Sequence, residues 1–349
     1  MQLTKGGAPM SERVIIAGNM IVDVIKTIDT YPAMGMLANI SDVSRAVGGC
    51  APNTGIDLAK IDPTIPISLV GQVGDDDYGR YLLSEIAKYG INTDGIRVSA
   101  DRPTSFSDAM SLPSGERTFF HARGANKTFC PEMVDLDKLD AGLLHIGYIL
   151  LLDAFDQADE ECGTVMARFL RDVQRRGIKT SVDVVSDSSA DYPDKIIPAL
   201  RYCNYAIMNE IESTAIWGLS AYREDGSLHI DNIRETMKRM TACGVKDKII
   251  IHAKDAAFCC DAESGEFTAV PSLCIPPEDI KGSVGAGDAF CAGSLYGLRQ
   301  GWSDREILEF ASAAAACNLA SENSVDGMRC AAEIHAVAAK YPRKTLQKG

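Results

Sequence analysis

The sequence is short of several things, and each shortage narrows what the chain can be. It has no uninterrupted apolar run of membrane-spanning length. It is short of positive charge: 35 Lys and Arg stand against 48 Asp and Glu, a formal net charge of −13. That balance argues against a nucleic-acid partner or an anionic membrane surface, and says little against small anionic ligands, which feel local fields. The five histidines are dispersed and none pairs with cysteines at finger-like spacing, so no zinc site is expected. Aromatic residues make up 7% of the chain, and no aromatic cluster marks a nucleobase pocket. Cys-x-x-Cys spacing is absent. The eleven cysteines are scattered and odd in number, and the adjacent Cys259 and Cys260 cannot easily bridge. They read as reduced, mostly buried thiols of a cytoplasmic enzyme. Low-complexity segments, repeats and long linkers are absent too. The first residues show no signal-peptide pattern; residues 1–9 read as a leader ahead of a natural start at Met10.

What is present is an ordinary globular composition, 46% hydrophobic and 24% charged, with length for one large domain or two modest ones. Short β-type runs alternate with helical patterns. Arg13–Gly18, Ile67–Gly71, Leu143–Gly147, Thr180–Val185, Tyr205–Met208 and Lys248–Ile251 read as buried strands. Asn53–Ile61, Gly79–Tyr89, Cys162–Arg176 and Asn232–Ala242 read as helices between them. This alternation predicts an α/β fold, a doubly wound and mostly parallel central sheet flanked by helices. Such sheets bind ligands at the C-terminal ends of their strands. Two stretches, about 36–46 and 104–122, break the pattern with period-two segments rich in Ser, Thr, Phe and Val, and Pro113-Ser114-Gly115 is a turn signal within the second. They predict a small antiparallel sheet inserted into the core. So few strands need another surface to bury one face: an active site, a partner subunit, or both.

The most informative segment is Gly282-Ser283-Val284-Gly285-Ala286-Gly287-Asp288-Ala289-Phe290. Small residues running into a helix let backbone N–H groups converge on an anion, with the positive helix N-terminus behind them. A carboxylate beside a phosphate site would repel it, unless Asp288 is there to take a proton. Three further patterns fall at strand ends. Asp23, five residues past Gly18, can accept two hydrogen bonds from vicinal hydroxyls. Gly48 and Gly49 let a ligand approach the backbone, and Asn53 offers a donor and an acceptor near a helix start. Asn209-Glu210-Ile211-Glu212 places Asn209 and Glu212 on one face of a helical turn, oxygen ligands suited to Mg²⁺ directly or through its waters.

In order, spacing and strand context these residues resemble the ribokinase-like (PfkB) carbohydrate kinase family over about residues 13–330. Gly285-Ala286-Gly287-Asp288 is similar to the core of the family's Asp-Thr-x-Gly-Ala-Gly-Asp signature. Val47-Gly48-Gly49 with Asn53, the segment Gly71–Gly79, and Asn209–Glu212 match further family motifs. The resemblance implies an ATP-dependent kinase acting on a primary hydroxyl of a small sugar or sugar derivative, in one domain spanning 13–340. It implies that Asp288 is the base, and that Gly285, Ala286 and Gly287 hold the charge developing on the transferred phosphoryl. Asn209 and Glu212 would position Mg²⁺-bound waters around the ATP phosphates. Asp23, Gly48, Gly49 and Asn53 would contact the sugar, with Arg123 and Asn126 near it, and Ser312 would lie beside the adenine. The two inserted segments would form the lid that family members close over substrate and often use to form a homodimer.

The sequence departs from the family at two places. Gly282 stands where relatives carry an Asp that helps bind a monovalent cation, and Ser324 falls near a usual glycine; both argue against K⁺ activation. His252 and Lys254 stand in a loop that usually reads Thr-x-Gly and touches ATP phosphates. Lys254 could reach a phosphate as a point charge, although an exposed loop lysine is ordinarily just solvated. Two alternatives stay open: a nucleoside kinase of the adenosine type, and a ligand-binding regulator with weakened catalysis.

Overall fold

The computed structural model describes residues 12–113, 116–185 and 192–346. The expected leader 1–9, the start at Met10 and the Ser114–Gly115 part of the turn signal lie outside the described residues.

In chain order the strands are β1 (Val14–Gly18), β2 (Ile21–Ile28), β3 (Ile40–Gly48), β4 (Ile67–Gly74), β5 (Asn92–Ser99), β6 (Ser105–Ser111) and β7 (Arg117–Ala122). They continue with β8 (Leu143–Ile149), β9 (Ala158–Asp159), β10 (Gly163–Thr164), β11 (Lys179–Val184), β12 (Tyr205–Asn209), β13 (Lys248–His252), β14 (Ala256–Asp261) and β15 (Phe267–Pro271). The helices are α1 (Cys50–Ile61), α2 (Asp77–Ala87), α3 (Val165–Gln174), α4 (Tyr192–Leu200), α5 (Glu210–Ala215), α6 (Ile230–Cys243), α7 (Ala286–Gln300), α8 (Asp304–Asn318) and α9 (Ala331–Lys340).

Nine strands form the main sheet in the order β15-β14-β13-β12-β11-β8-β1-β4-β5. The seven from β13 to β5 run parallel, and β14 and β15 add an antiparallel edge. Parallel strands need crossover helices, which cover both faces, so their residues are buried on both sides. Hence Val14–Gly18 is wholly buried, as are Ile249, Ile250 and Ile251 in β13. One apolar core packs α1, α7 and α8 against one face, and a second packs α3, α4 and α6 against the other. Among the described residues no helix is long and apolar enough to cross a membrane.

The small sheet has the order β3-β2-β6-β7. It differs from the expected pair of insertions in two ways. The first insertion is a strand only from Ile40, and it runs on to Gly48. A further strand, β2, lies between it and the second insertion. β2 pairs antiparallel with β3 and parallel with β6, so two hairpin-like pairs join along a parallel seam. Asp23, read as lying just past the end of β1, is therefore a strand residue facing Ala46 on one side and Ser107 on the other.

Candidate active site

The C-terminal ends of β1, β8, β11, β12 and β13 converge on the start of α7. Gly285 caps that helix with φ 78°, ψ 0°, a left-handed conformation that costs a side-chain-bearing residue strain. A Cβ on it would also lie 2.5 Å from the carbonyl oxygen of Ser324. The turn thus requires glycine twice over, and it aims the helix N-terminus into the cleft. Ala286 is a correction to the expected anion hole: its N–H already donates to Ser283 O at 3.2 Å.

Asp288 sits in the first turn of α7 and is 3% exposed. Its Oδ2 accepts from Asn53 Nδ2 at 2.9 Å, and its Oδ1 accepts from the Tyr148 hydroxyl at 2.7 Å. Burial pushes its pKa up to about 6, while the two donors pull the other way by stabilising the carboxylate. The result is a carboxylate held in one orientation and poised close to neutrality, the condition that proton abstraction near pH 7 would require. Asn53 keeps a buried Oδ1 without a partner among the described residues.

Asp23 reaches the same cleft from β2. A Cβ on Gly48 would lie 2.4 Å from Asp23 Oδ2, so the glycine makes room for the carboxylate to lie against the backbone. Burial raises the Asp23 pKa to about 7, the nearby Asp288 adds to this, and Arg117 opposes it. Asp23, Ile25, Arg117 and Phe119 line one wall of the cleft; Val284 of the glycine turn and Ser324, packed against it, line the other. The small sheet therefore hangs over the glycine turn as a lid.

Asn209 and Glu212 are brought together, but on each other. Asn209 Oδ1 accepts from the Glu212 N–H at 2.8 Å, and Glu212 Oε2 accepts from the Asn209 N–H at 3.0 Å, a reciprocal cap of α5. Asn209 thus orients Glu212, its side-chain oxygen being already engaged. Asp183, at the end of β11, is 8% exposed and held well above the usual carboxylate range, first by burial and then by the charges of Glu212 and Asp288.

Two residues expected near the substrate are committed elsewhere. Arg123 donates to Leu150 O at 2.9 Å and pairs with Asp153, an ion pair at the rim. Asn126 is 1% exposed and clasps the backbone of Met20 from both ends of its amide, at 3.1 Å each. Asn126 is thereby occupied in holding the chain after β1, whereas Arg123 ties down the turn after β8 through its Nη1 alone. Lys254 lies exposed in the bend after β13. His252 packs its ring on Phe290, 4.7 Å between centroids, beside Gly287. Ser312 is 8% exposed on α8, and its hydroxyl has no partner among the described residues.

Sequence reasoning missed Tyr148, Asp183 and Arg117. Tyr148 carried a usable signal, since it directly follows a glycine near the C-terminal end of a strand. Asn19 was another: its Oδ1 accepts from the Cys50 N–H at 2.8 Å and fixes the start of α1.

The sequence pattern of the pfkB family carbohydrate kinases matches residues 11–329. The chain is 22% identical over 317 residues to a ribokinase of Arabidopsis thaliana, covering 90% of this chain and 78% of that one. It is 23% identical over 298 residues to a 5-dehydro-2-deoxygluconokinase of Clostridium perfringens, covering 84% and 83%. The solved structure of the Arabidopsis ribokinase complexed with ribose and ATP superposes with a TM-score of 0.77 at 19% identity, over 94% of this chain and 99% of that one.

Proposed function

The chain belongs to the pfkB family of carbohydrate kinases, and from that premise we propose that it transfers the terminal phosphoryl group of ATP to a primary hydroxyl of a small sugar or sugar derivative, in one catalytic domain spanning 13–340. One observation carries the reading: a buried carboxylate, Asp288, with a pKa of about 6, stands at a glycine-capped helix N-terminus. Phosphoryl transfer needs alignment, charge neutralisation and exclusion of water more than covalent chemistry. The acceptor hydroxyl would lie between Asp23 and Asp288 and give its proton to Asp288. The N–H groups around Gly285 and Gly287 would hold the transferred phosphoryl. Asp23 would orient the acceptor's hydroxyls, Gly48 and Gly49 would let the sugar approach the backbone, and Asn53 would lie beside the sugar with its Nδ2 turned to Asp288. Ser312 would serve the adenine side and Lys254 the phosphates. The lid would exclude water, which would otherwise compete as the acceptor.

The donor set fits Mg²⁺. Asp183 and Glu212 are buried carboxylates that raise one another's energy, an arrangement a divalent cation relieves. These two residues would hold it, with Asn209 orienting Glu212; when bound, the ion neutralises charge on the donor phosphates. With Gly282 in place of an aspartate, turnover should be equal in K⁺ and Na⁺ salts. On the lid's outer face, opposite Asp23, Val43 and Phe120 are 56% and 58% exposed. We place a second copy of the chain there; Phe120→Lys should shift sedimentation to the monomer, and a sedimentation coefficient unmoved by the change refutes that interface. Eleven free thiols suit a reducing cytoplasm.

A coupled ADP-release screen over sugars, sugar acids and nucleosides tests the reading. Turnover with a sugar or sugar acid supports it. Turnover confined to nucleosides moves the acceptor class, and tight ligand binding without turnover refutes it.

A further inference from the structure

Asp57 is fully buried in the middle of α1, and neither of its carboxylate oxygens has a hydrogen-bond partner among the described residues. A carboxyl group so placed is stable only if it finds a donor or keeps a proton. One helical turn earlier on the same face stands Asn53, whose Oδ1 is likewise buried and without a partner. Residues four apart on a helix are neighbours, about 5–6 Å between Cβ atoms, so the two groups are within reach directly or through one water. Their needs are complementary. A neutral Asp57 has a proton to donate, and Asn53 Oδ1 needs a donor. The other end of the Asn53 amide is engaged, since Nδ2 donates to Asp288 Oδ2 at 2.9 Å.

We infer that Asp57 is a positioning residue for the catalytic base: as the neutral acid it holds the Asn53 carbonyl, and so keeps the Asn53 NH₂ turned toward an ionised Asp288. The inference rests on Asp288 being the base. An amide has two faces, and the alternative orientation shows why the proton on Asp57 matters. Were the amide reversed, its NH₂ would meet Asp57 and favour the ionised form there. Its carbonyl would then meet Asp288 and demand a proton on it. One proton is thus placed on one of two carboxyls by the sense of a single amide, and only one placement leaves a competent base.

The surroundings favour that placement. Asp57 lies well above the usual carboxylate range, first through burial and then through the charge of Asp288, with Lys60 on its own helix opposing. Lys60 is directed away, to Val325 O at 2.7 Å, beside Asp326 and Arg329. Of the elements packed on α1, β8 brings the neutral His145 and Tyr148, which donates to Asp288, α7 brings Asp288 and Cys291, β3 carries the exposed Asp42 and Arg45, and β1 and β4 present no titratable group to it.

The test is a titration of aspartate carboxyls by ¹³C NMR on ¹³C-aspartate-labelled full-length protein without ligands. Asp288 and Asp57 are assigned by loss of their signals in Asp288→Asn and Asp57→Asn. In the wild type Asp57 should still hold its proton where Asp288 titrates, near pH 6. Asp57→Ala removes the donor, frees the amide to reverse, and should raise the Asp288 midpoint by about one unit. Asp57→Asn, which restores a donor, should leave it in place and also controls for the packing defect of the alanine. An Asp57 ionised at neutral pH, an Asp288 midpoint unmoved in Asp57→Ala, or an equal shift in both variants overturns the inference. Turnover of Asp288→Asn is a separate measurement. If it is near normal, the base assignment has failed; if it is lost while the Asp57 titration disagrees, only this inference has.

Discussion

Replacing Tyr148 with Phe deletes one hydroxyl and tests how the Asp288 carboxylate, the proposed base, is kept ionised. In the intact site Tyr148 donates to Asp288 Oδ1 at 2.7 Å, and Asp288 is almost wholly shielded from solvent. A hydrogen bond to a charged group contributes about 1.5–3 kcal/mol. At about 1.4 kcal/mol per pKa unit this is about one to two units, and admission of a water to the vacated corner favours the lower end. The sign follows from which form is served: a donor stabilises the carboxylate, so losing it raises the Asp288 pKa above its present value of about 6. The acid limb of kcat/KM should therefore move to about pH 7. At about pH 6 the ionised fraction falls from about a half to about a tenth, a loss of about fivefold, while at about pH 9 the two enzymes should be equal. The assay is coupled ADP release at saturating ATP between about pH 5 and pH 9, with thermal melting as a check on folding. An acid limb that stays in place refutes the reasoning, and so does a loss independent of pH, which would mark Tyr148 as a packing residue.

Other expectations follow from the same geometry. Asp288→Asn should lower kcat by about 10²–10⁴ with acceptor binding largely retained, as checked by calorimetry; near-normal turnover removes the base assignment. Gly285→Ala should cost about 1–3 kcal/mol of stability in chemical denaturation, from the left-handed backbone and the approach to Ser324, and lower kcat by displacing the turn; an unchanged kcat would show that the turn does not hold the phosphoryl group. Asp23, Asp156 and Asp288 all have folded pKa values raised to about 6 or 7, so between about pH 4 and 7 each of these three binds more proton in the folded chain than in the unfolded one. Their contribution is fully present below their unfolded pKa and is lost as pH rises through the folded values. His145 and His252, pushed down by burial to about 3 and about 4, act in the opposite sense over the same range, so the test is differential: relative to the parent chain, Asp23→Asn should raise the melting temperature more at about pH 7.5 than at about pH 5.5, and an equal effect at both contradicts the Asp23 shift.

Legibility in the sequence followed the range of the forces involved. β13 could be read from Lys248-Ile249-Ile250-Ile251, because a parallel strand buried on both faces is an unbroken apolar run. The glycine turn before α7 could be read because its chemistry is local: small residues, then an acid, at a helix start. Asp23 was legible as a functional candidate but not as a strand residue. Its strand forms through pairing with β3 and with β6, about 80 positions onward, and no local pattern announces that. Arg123 and Asn126 looked free in sequence because a side chain's competing partners, Leu150 with Asp153 and the backbone of Met20, are set only by folding.

The sequence by itself determined the alternation of the main sheet, the glycine-capped N-terminus of α7 and the identity of Asp288 as the carboxylate to watch. Those are consequences of periodicity and of backbone conformations that few residues tolerate, and both are written within about ten residues. Only the tertiary structure decided the state of that carboxylate. Burial raises its pKa, and Asn53, 235 positions away, and Tyr148, 140 positions away, hold it ionised and oriented. A pKa is set by everything within a few ångströms, and only the folded chain brings those groups there.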